Sequence, residues 1–532
     1  MIRARARGTT SSGSAVAVAV LLVLSARSAG AQGFTTGDSV LRRLWSLGMD
    51  SSQVARYAQT ITDSIGPRLT GSPAQRAGIA WLLATYKALG IEARTEQYGT
   101  WTGWRRGTSH IDLVAPRVRS LEGMMLAWSP GTGNRDVQGA TVIIPDVADS
   151  TAFKAWLPRV KGKFVLVSPP QPTCRPDDDW QAFALPATFA RMKAERLAAA
   201  EAWTARLSNA GVTTRTLPVA LDKAGAAGII TSVWSAGWGV TKIFRARTER
   251  AVTFDLSCED YGLVYRLTQH DQGAMLRARA DAERTADVPV FNVIAEIKGA
   301  DTPDEYVMLS AHFDSWDGSS GATDNATGTV TMLEAMRLLK TAYPHPKRTI
   351  LVGHWSGEEQ GLNGSRAFAA DHPGIVQGLQ ALFNQDNGTG RIVTLSGMGL
   401  TTASGFIATW TAQLPDELSR NIDFSFPGLP STGGSDYLAF LCSDAPGFNL
   451  GSLGWNYGTY TWHTNRDTYD KIVLDDLRSN AVLTAMLVYL AAEDPERVPR
   501  TRRVMPLNAQ TGQPIAWPTC ATPARSAAEG DR

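Results

Sequence analysis

Apolar residues recur at helical spacing through residues 38–65, in the runs VLRRLWSLGM and VARYAQTITDSI, and again through residues 74–89. The turn GPRLTGSP separates these two helical stretches. Residues 128–285 have another texture, with short β-rich runs (ATVIIPDV, GKFVLVSPP, AAGIITSVW) broken by Gly, Pro and polar turns. From residue 289 onward, strand and helix patterns alternate. VFNVIAEIKG, EYVMLSAHFD, RTILVGHWSG and ALFNQDN read as strands. Between them, NATGTVTMLEAMRLLKTAY reads as a helix with Met332, Leu333, Met336 and Leu339 on its buried face, and EEQGLNGSRAFAADH opens another. Such alternation predicts an α/β sandwich on a largely parallel sheet.

At 532 residues the chain exceeds one ordinary core, so two or three domains are expected. The division read from the pattern is a leader over 1–31, an N-terminal part over 32–126 and an inserted β-rich segment over 127–285. The α/β part over 286–498 and a weakly ordered Pro-, Ala-, Thr- and Arg-rich tail over 499–532 follow. The leader has an Arg-rich start, an apolar run over residues 15–24, and the small residues Ala29, Gly30 and Ala31 before Gln32. That is the layout of a secretory signal peptide, and the run is too short to span a bilayer. An uncleaved anchor is the alternative. Removal of Arg3, Arg5, Arg7 and Arg27 takes the formal charge from +2 to −2. The mature chain is therefore expected to be secreted or periplasmic, off the membrane, and no ligand for nucleic acid. Export permits disulfides among Cys174, Cys258, Cys442 and Cys520. Cys174 with Cys258, in one segment, is the preferred pair, leaving Cys442 with Cys520 to tie down the tail; three connectivities stay open. No CxxC occurs, which argues against a thiolate zinc knot.

Ligands in α/β folds gather at the carboxyl ends of strands. Here one such end carries His312 and Asp314, the loop after it Asp324, another end Glu358 and Glu359, and a third Asp386. His463 follows in the loop GTYTWHTNRDTYDKI. Each piece alone is a weak signal, because paired glutamates also suit helix starts and a lone Asp suits turns. Their convergence on the strand ends of one domain is specific. Two cations close together call for imidazole and carboxylate ligands with one carboxylate shared, and Asp324 is suited to that bridge. His312 and Asp386 complete one ion, and Glu359 and His463 the other. Glu358 cannot point the same way as its neighbour, which frees it to take a proton from an activated water. Asp314, two residues along an extended strand, points with His312 and can orient its ring. The other histidines lack such surroundings: His354 lies in an apolar strand and reads as structural, and His345 and His372 sit beside prolines.

The stretches HFDSWDG, GATDNATG, WSGEEQGLNGS, NQDNG, GGSDYLAF and TWHTNRDTYDKI resemble peptidase family M28, the co-catalytic zinc exopeptidases, as does IGPRLTGSP near residue 65. The resemblance covers residues 45–125 and 286–490. It implies a zinc-exopeptidase (phosphorylase/hydrolase-like) three-layer sandwich with a mixed, largely parallel sheet. It also implies two Zn2+ (Mn2+ or Co2+ as substitutes) on His312, Asp324, Glu359, Asp386 and His463, with Asp314 and Glu358 as the catalytic pair. VKGKFVLVSPP and DKAGAAGIITS resemble a protease-associated (PA) domain, which in relatives lies beside the cleft. Ser435 and Asp436 align with a family motif, and Tyr437 either offers its OH to the tetrahedral intermediate or packs against the sheet.

The function expected is a secreted di-zinc exopeptidase, an aminopeptidase first, acting on peptide substrates as a monomer or homodimer. A carboxypeptidase Q-like dipeptidase or carboxypeptidase is the alternative within the family. A one-zinc glutaminyl cyclase and a non-catalytic receptor-like homologue are the alternatives outside it. The complete ligand set argues against both.

Overall fold

The computed structural model describes residues 34–386, 389–431 and 434–530, so the expected signal peptide lies outside the described residues. The elements that build the site are helices α1 (Ser39–Asp50), α2 (Pro73–Ala88), α3 (Thr327–Ala342), α4 (Asn363–Asp371) and α5 (Leu474–Glu493). The strands are β1 (Glu92–Ala115), β2 (Met275–Ile297), β3 (Thr302–His312), β4 (Arg348–Trp355), β5 (Leu379–Asn384) and β6 (Gly447–Ser452). In space they run β6-β5-β3-β4-β2, with β1 paired to β2. The β5–β6, β3–β5 and β3–β4 pairs are parallel, and β2 is antiparallel to β4. β3, β4 and β5 are apolar along most of their length, as strands covered on both faces must be.

The helices seal this sheet in two groups. α1, α3 and α5 pack on one another, and α3 buries Val330, Met332, Leu333, Met336, Leu338 and Leu339. Each such side chain contributes about 1.5–3 kcal/mol by leaving water. α2 and α4 pack on β1 and β2. α2 starts where its sequence dictates: Ser72 Oγ accepts from Gln75 N at 3.1 Å, and Pro73 occupies the first turn, where no N–H is needed. Gln75 then accepts from Gly71 N and donates to Ser356 Oγ at 2.6 Å, fastening the GPRLTGSP turn to the end of β4.

The inserted segment forms its own run of parallel strands, Val137–Ile143, Phe164–Leu166, Gly228–Thr231 and Val252–Leu256, in that spatial order. It also carries helices, among them Pro186–Asn209 and Cys258–Gln269. The long antiparallel ribbon β1–β2 links the two regions. β2 pairs with β4 near its end, through Val293 to Ile297, and with Val137–Ile143 near its start. The strand β2 thus continues through residue 285, where the sequence pattern changes texture and its pairing with β1 shifts register between Arg284 and Asp287.

The tail differs from the weakly ordered segment expected. Disulfides join Cys174 to Cys258 and Cys442 to Cys520, the preferred pairing. Trp517 Nε1 donates to Leu441 O, Ala524 N to Asn363 Oδ1, and Thr100 N to Arg525 O at 2.8 Å. Gly99 makes that last approach feasible, because a Cβ there would lie 2.2 Å from Arg525 O. Composition suggested disorder, but hydrogen bonds to residues distant in sequence and one covalent tie hold the tail. No helix among the described residues is long and apolar enough to cross a membrane.

Candidate metal centre

Register explains why distant residues meet. Trp355 of β4 stands opposite His312 of β3, and Asn384 of β5 opposite Ser310. Residues just past these strands therefore emerge at one level: Glu358 and Glu359 three and four beyond Trp355, and Asp386 two beyond Asn384. Gly357 makes the turn at φ +69, and a Cβ there would lie 2.4 Å from Tyr98 Oη.

All five candidate ligands converge. His312 Nε2 lies 3.1 Å from Asp386 Oδ1 and 3.3 Å from Asp324 Oδ1. His463 Nε2 lies 2.9 Å from Glu359 Oε2 and 3.2 Å from Asp324 Oδ2. Asp324 thus faces one imidazole with each oxygen, and its buried Oδ2 makes no well-formed hydrogen bond. The donor set fits two borderline-soft cations sharing Asp324, with His312 and Asp386 on one side and Glu359 and His463 on the other.

The supporting residues act through defined contacts. Asp314, fully buried, accepts from Glu358 N at 3.2 Å and Glu359 N at 3.4 Å, and from Thr70 Oγ1 at 3.2 Å. Its carboxylate therefore holds the glutamate turn as well as standing 3.8 Å from His312 Nδ1, which meets the Asp314 carbonyl at 3.1 Å. Asp467 accepts from Thr323 N at 2.7 Å and Asp324 N at 3.1 Å, so it sets the loop carrying the bridging carboxylate. Arg68, fully buried, donates to the carbonyls of Phe313, Gly66, Ser320 and Gly321 and clamps the two loops together. Sequence reasoning missed Asp467 as a supporting residue and missed Arg68's role. The motifs TWHTNRDTYDKI and IGPRLTGSP contained them, but apart from Gly66 their partners lie more than a hundred residues away.

Electrostatics follow from enclosure. Burial raises Glu358 well above the usual carboxylate range, with Asp386, Asp436 and Glu359 adding to it against His312. Burial and Asp324 lift Glu359 to about 7 against the pull of His463. Burial opposes charge on both imidazoles, yet the surrounding carboxylates win: His312 is raised well above its ordinary value and His463 to about 10. These two rings, in turn, hold Asp324 below the ordinary carboxylate range despite its burial. His354, by contrast, is pushed down to about 3 by burial alone and meets Tyr86 Oη at 2.7 Å, the structural histidine expected.

A cavity of about 660 Å³ opens over the cluster. Tyr437, Tyr457 and Trp462 line it, and Arg366 is the one guanidinium among its described walls. Ser435 Oγ accepts from Asn384 Nδ2 at 3.1 Å at the strand ends, and Asp436 lies fully buried behind, raised to about 7 by burial.

A largely parallel α/β sheet that aims imidazoles and carboxylates from several strand ends into one cleft suits a zinc site, and the matches to known proteins make the chain a zinc-dependent metallo-exopeptidase. Residues 292–488 match the model of peptidase family M28. Among its relatives, carboxypeptidase Q of Rattus norvegicus is 24% identical over 446 residues, covering 83% of this chain and 85% of the relative. Carboxypeptidase Q of Homo sapiens is 23% identical, with the same 83% and 85% covered. The fold matches a peptidase M28 precursor from Shewanella amazonensis at a TM-score of 0.64 and 23% identity, over 86% of this chain and 97% of that one. It also matches a zinc aminopeptidase from Bacillus subtilis at a TM-score of 0.54 and 17% identity, over 85% and 97%.

Proposed function

We propose that the chain is an exported two-zinc exopeptidase that hydrolyses short peptides bearing free termini. The observation that carries this reading is Asp324, whose two oxygens face His312 and His463 separately as a shared ligand requires. Zinc bound there supplies Lewis acidity that activates a water and polarises the scissile carbonyl. Glu358, enclosed beside the cluster and with raised proton affinity, takes the proton from the water and returns it to the leaving amine. Asp314 keeps Glu358, Glu359 and His312 in register for that transfer. Tyr437, on the cavity wall, offers its OH to charge developing on the carbonyl oxygen. Export through a signal peptide over residues 1–31 is supported by the two disulfides, which persist in oxidising compartments. The inserted segment is read as a PA-like domain beside the cleft.

The terminus recognised has two readings. An aminopeptidase is the reading expected from the motifs. A carboxypeptidase Q-like dipeptidase is favoured by Arg366, a cation on the cavity wall suited to a free carboxylate, and by relatives of that name aligned over most of the chain. The test is mass spectrometry of one peptide series presented free, N-acetylated and C-amidated to the zinc-loaded protein. Loss of activity on acetylation alone supports the aminopeptidase. Loss on amidation, with Arg366→Ala raising KM on free dipeptides and leaving amidated ones unchanged, supports the carboxylate reading. Absence of cleavage of any form, with two zinc ions bound, would sink the exopeptidase proposal.

A further inference from the structure

The two histidines of the cluster are oriented by different means. His312 Nδ1 is met by the Asp314 carbonyl, on its own strand end. His463 Nδ1 makes no hydrogen bond among the described residues, and its backbone sits at φ +56 in a loop without regular structure. Something else must fix that ring, because a metal ligand left to rotate costs affinity.

The inserted segment supplies it. The loop between its strands Gly228–Thr231 and Val252–Leu256 crosses to the catalytic region and lies along residues 462–466. Ile243 N donates to the His463 carbonyl at 2.8 Å, and Lys242 forms an antiparallel bridge with Thr464. Thr241 N donates to Asn465 Oδ1 at 3.0 Å, and Asn465 N returns a bond to Thr241 O at 3.2 Å. Arg466 Nη2 reaches Gly239 O at 2.9 Å. The Lys242 ammonium donates to Trp462 O and sits 4.4 Å above the Trp462 ring. Trp462 in turn stacks on the His463 imidazole at 4.1 Å and 28°, Phe244 meets the ring edge-on at 5.1 Å, and Trp316 lies 5.9 Å from it. The crossing loop is itself pinned by the buried carboxylate of Asp255, which accepts from Lys242 N and Val233 N at 2.9 Å and from Thr231 Oγ1 at 2.8 Å.

We propose that this crossing loop of the insertion, through Lys242, Ile243 and Phe244, is a positioning element of the metal centre that holds His463 in ligating orientation. The metal site is then composite, built by both regions of the chain. The ion held by Glu359 and His463 depends on the clamp, whereas the ion held by His312 and Asp386 does not. This rests on the two-zinc reading above.

The test is zinc titration of the metal-free protein against a competing chelator, resolving two binding steps, for the wild type, His463→Ala, Lys242→Met and Phe244→Leu. Wild type binding two ions and His463→Ala one would secure the underlying reading; wild type binding fewer than two would remove it. Lys242→Met and Phe244→Leu are expected to weaken one step at least tenfold, the step that His463→Ala abolishes, and to change the other by less than twofold. Both substitutions keep apolar bulk, and a general loosening of the fold would weaken both steps alike. Equal loss at both steps, or two unchanged steps in either variant, would overturn the proposal while leaving the two-zinc reading intact.

Discussion

Glu358 and Glu359 are neighbours with divergent tasks, and the divergence is visible in their contacts. Both line the cavity, but Glu359 reaches His463 at 2.9 Å and accepts from Trp316 N, whereas Glu358 stands near Asp386 and Asp436, which raise its proton affinity. Glu358→Gln is therefore expected to keep both metals and lose about 10²–10⁴-fold in kcat, the range general-base catalysis contributes. Zinc content and kcat measured on one preparation check it, and an active variant would remove Glu358 from the role. Protons set a second expectation. With His463 held up to about 10 in the metal-free cluster, the ring is an imidazolium at neutral pH and must release its proton to ligate. Zinc affinity should then rise as pH rises from 6 toward 10, with proton release seen by calorimetry in buffers of different ionisation enthalpy. At this scale the sequence was informative, because metal chemistry restricts residue types and the order His312, Asp324, Glu359, Asp386, His463 is read directly. Arg366 and Lys242 were not legible, since a lone cation carries no signal until the fold shows what it faces.

Strand ends and loops turn those residues into a site. β3, β4 and β5 were legible as apolar runs bounded by turns, and α3 by its buried face. The loop of Asp324 was legible only as a loop. Its conformation depends on Asp467, 143 residues away, which accepts the Thr323 and Asp324 amides while burial holds its carboxyl up to about 7. Asp467→Ala should release that loop and weaken zinc binding about 10–100-fold, as loss of outer partners does at other metal sites. A chelator-competition isotherm reads this directly, and unchanged affinity would mean the loop holds itself.

Across the molecule, the alternating region was readable because helix and strand periods differ; the connection between regions was not. The strand β2 spans the change of texture near residue 285 with only a register shift in its pairing to β1, so composition marks a boundary that the strand itself crosses. The tail shows the same limit, since 78 residues separate Cys442 from Cys520 and only the fold brings them together. Replacing both by Ser should cost about 2–4 kcal/mol and open the tail to proteolysis, with zinc content retained. Denaturant melts with limited proteolysis check it. The central claim is that one cleft holds two zinc ions across Asp324. Anomalous diffraction at the zinc edge from crystals of the loaded protein tests it most directly. Two peaks about 3.5–4 Å apart on either side of the Asp324 carboxylate are predicted. A single peak, or zinc bound away from His312 and His463, would contradict it.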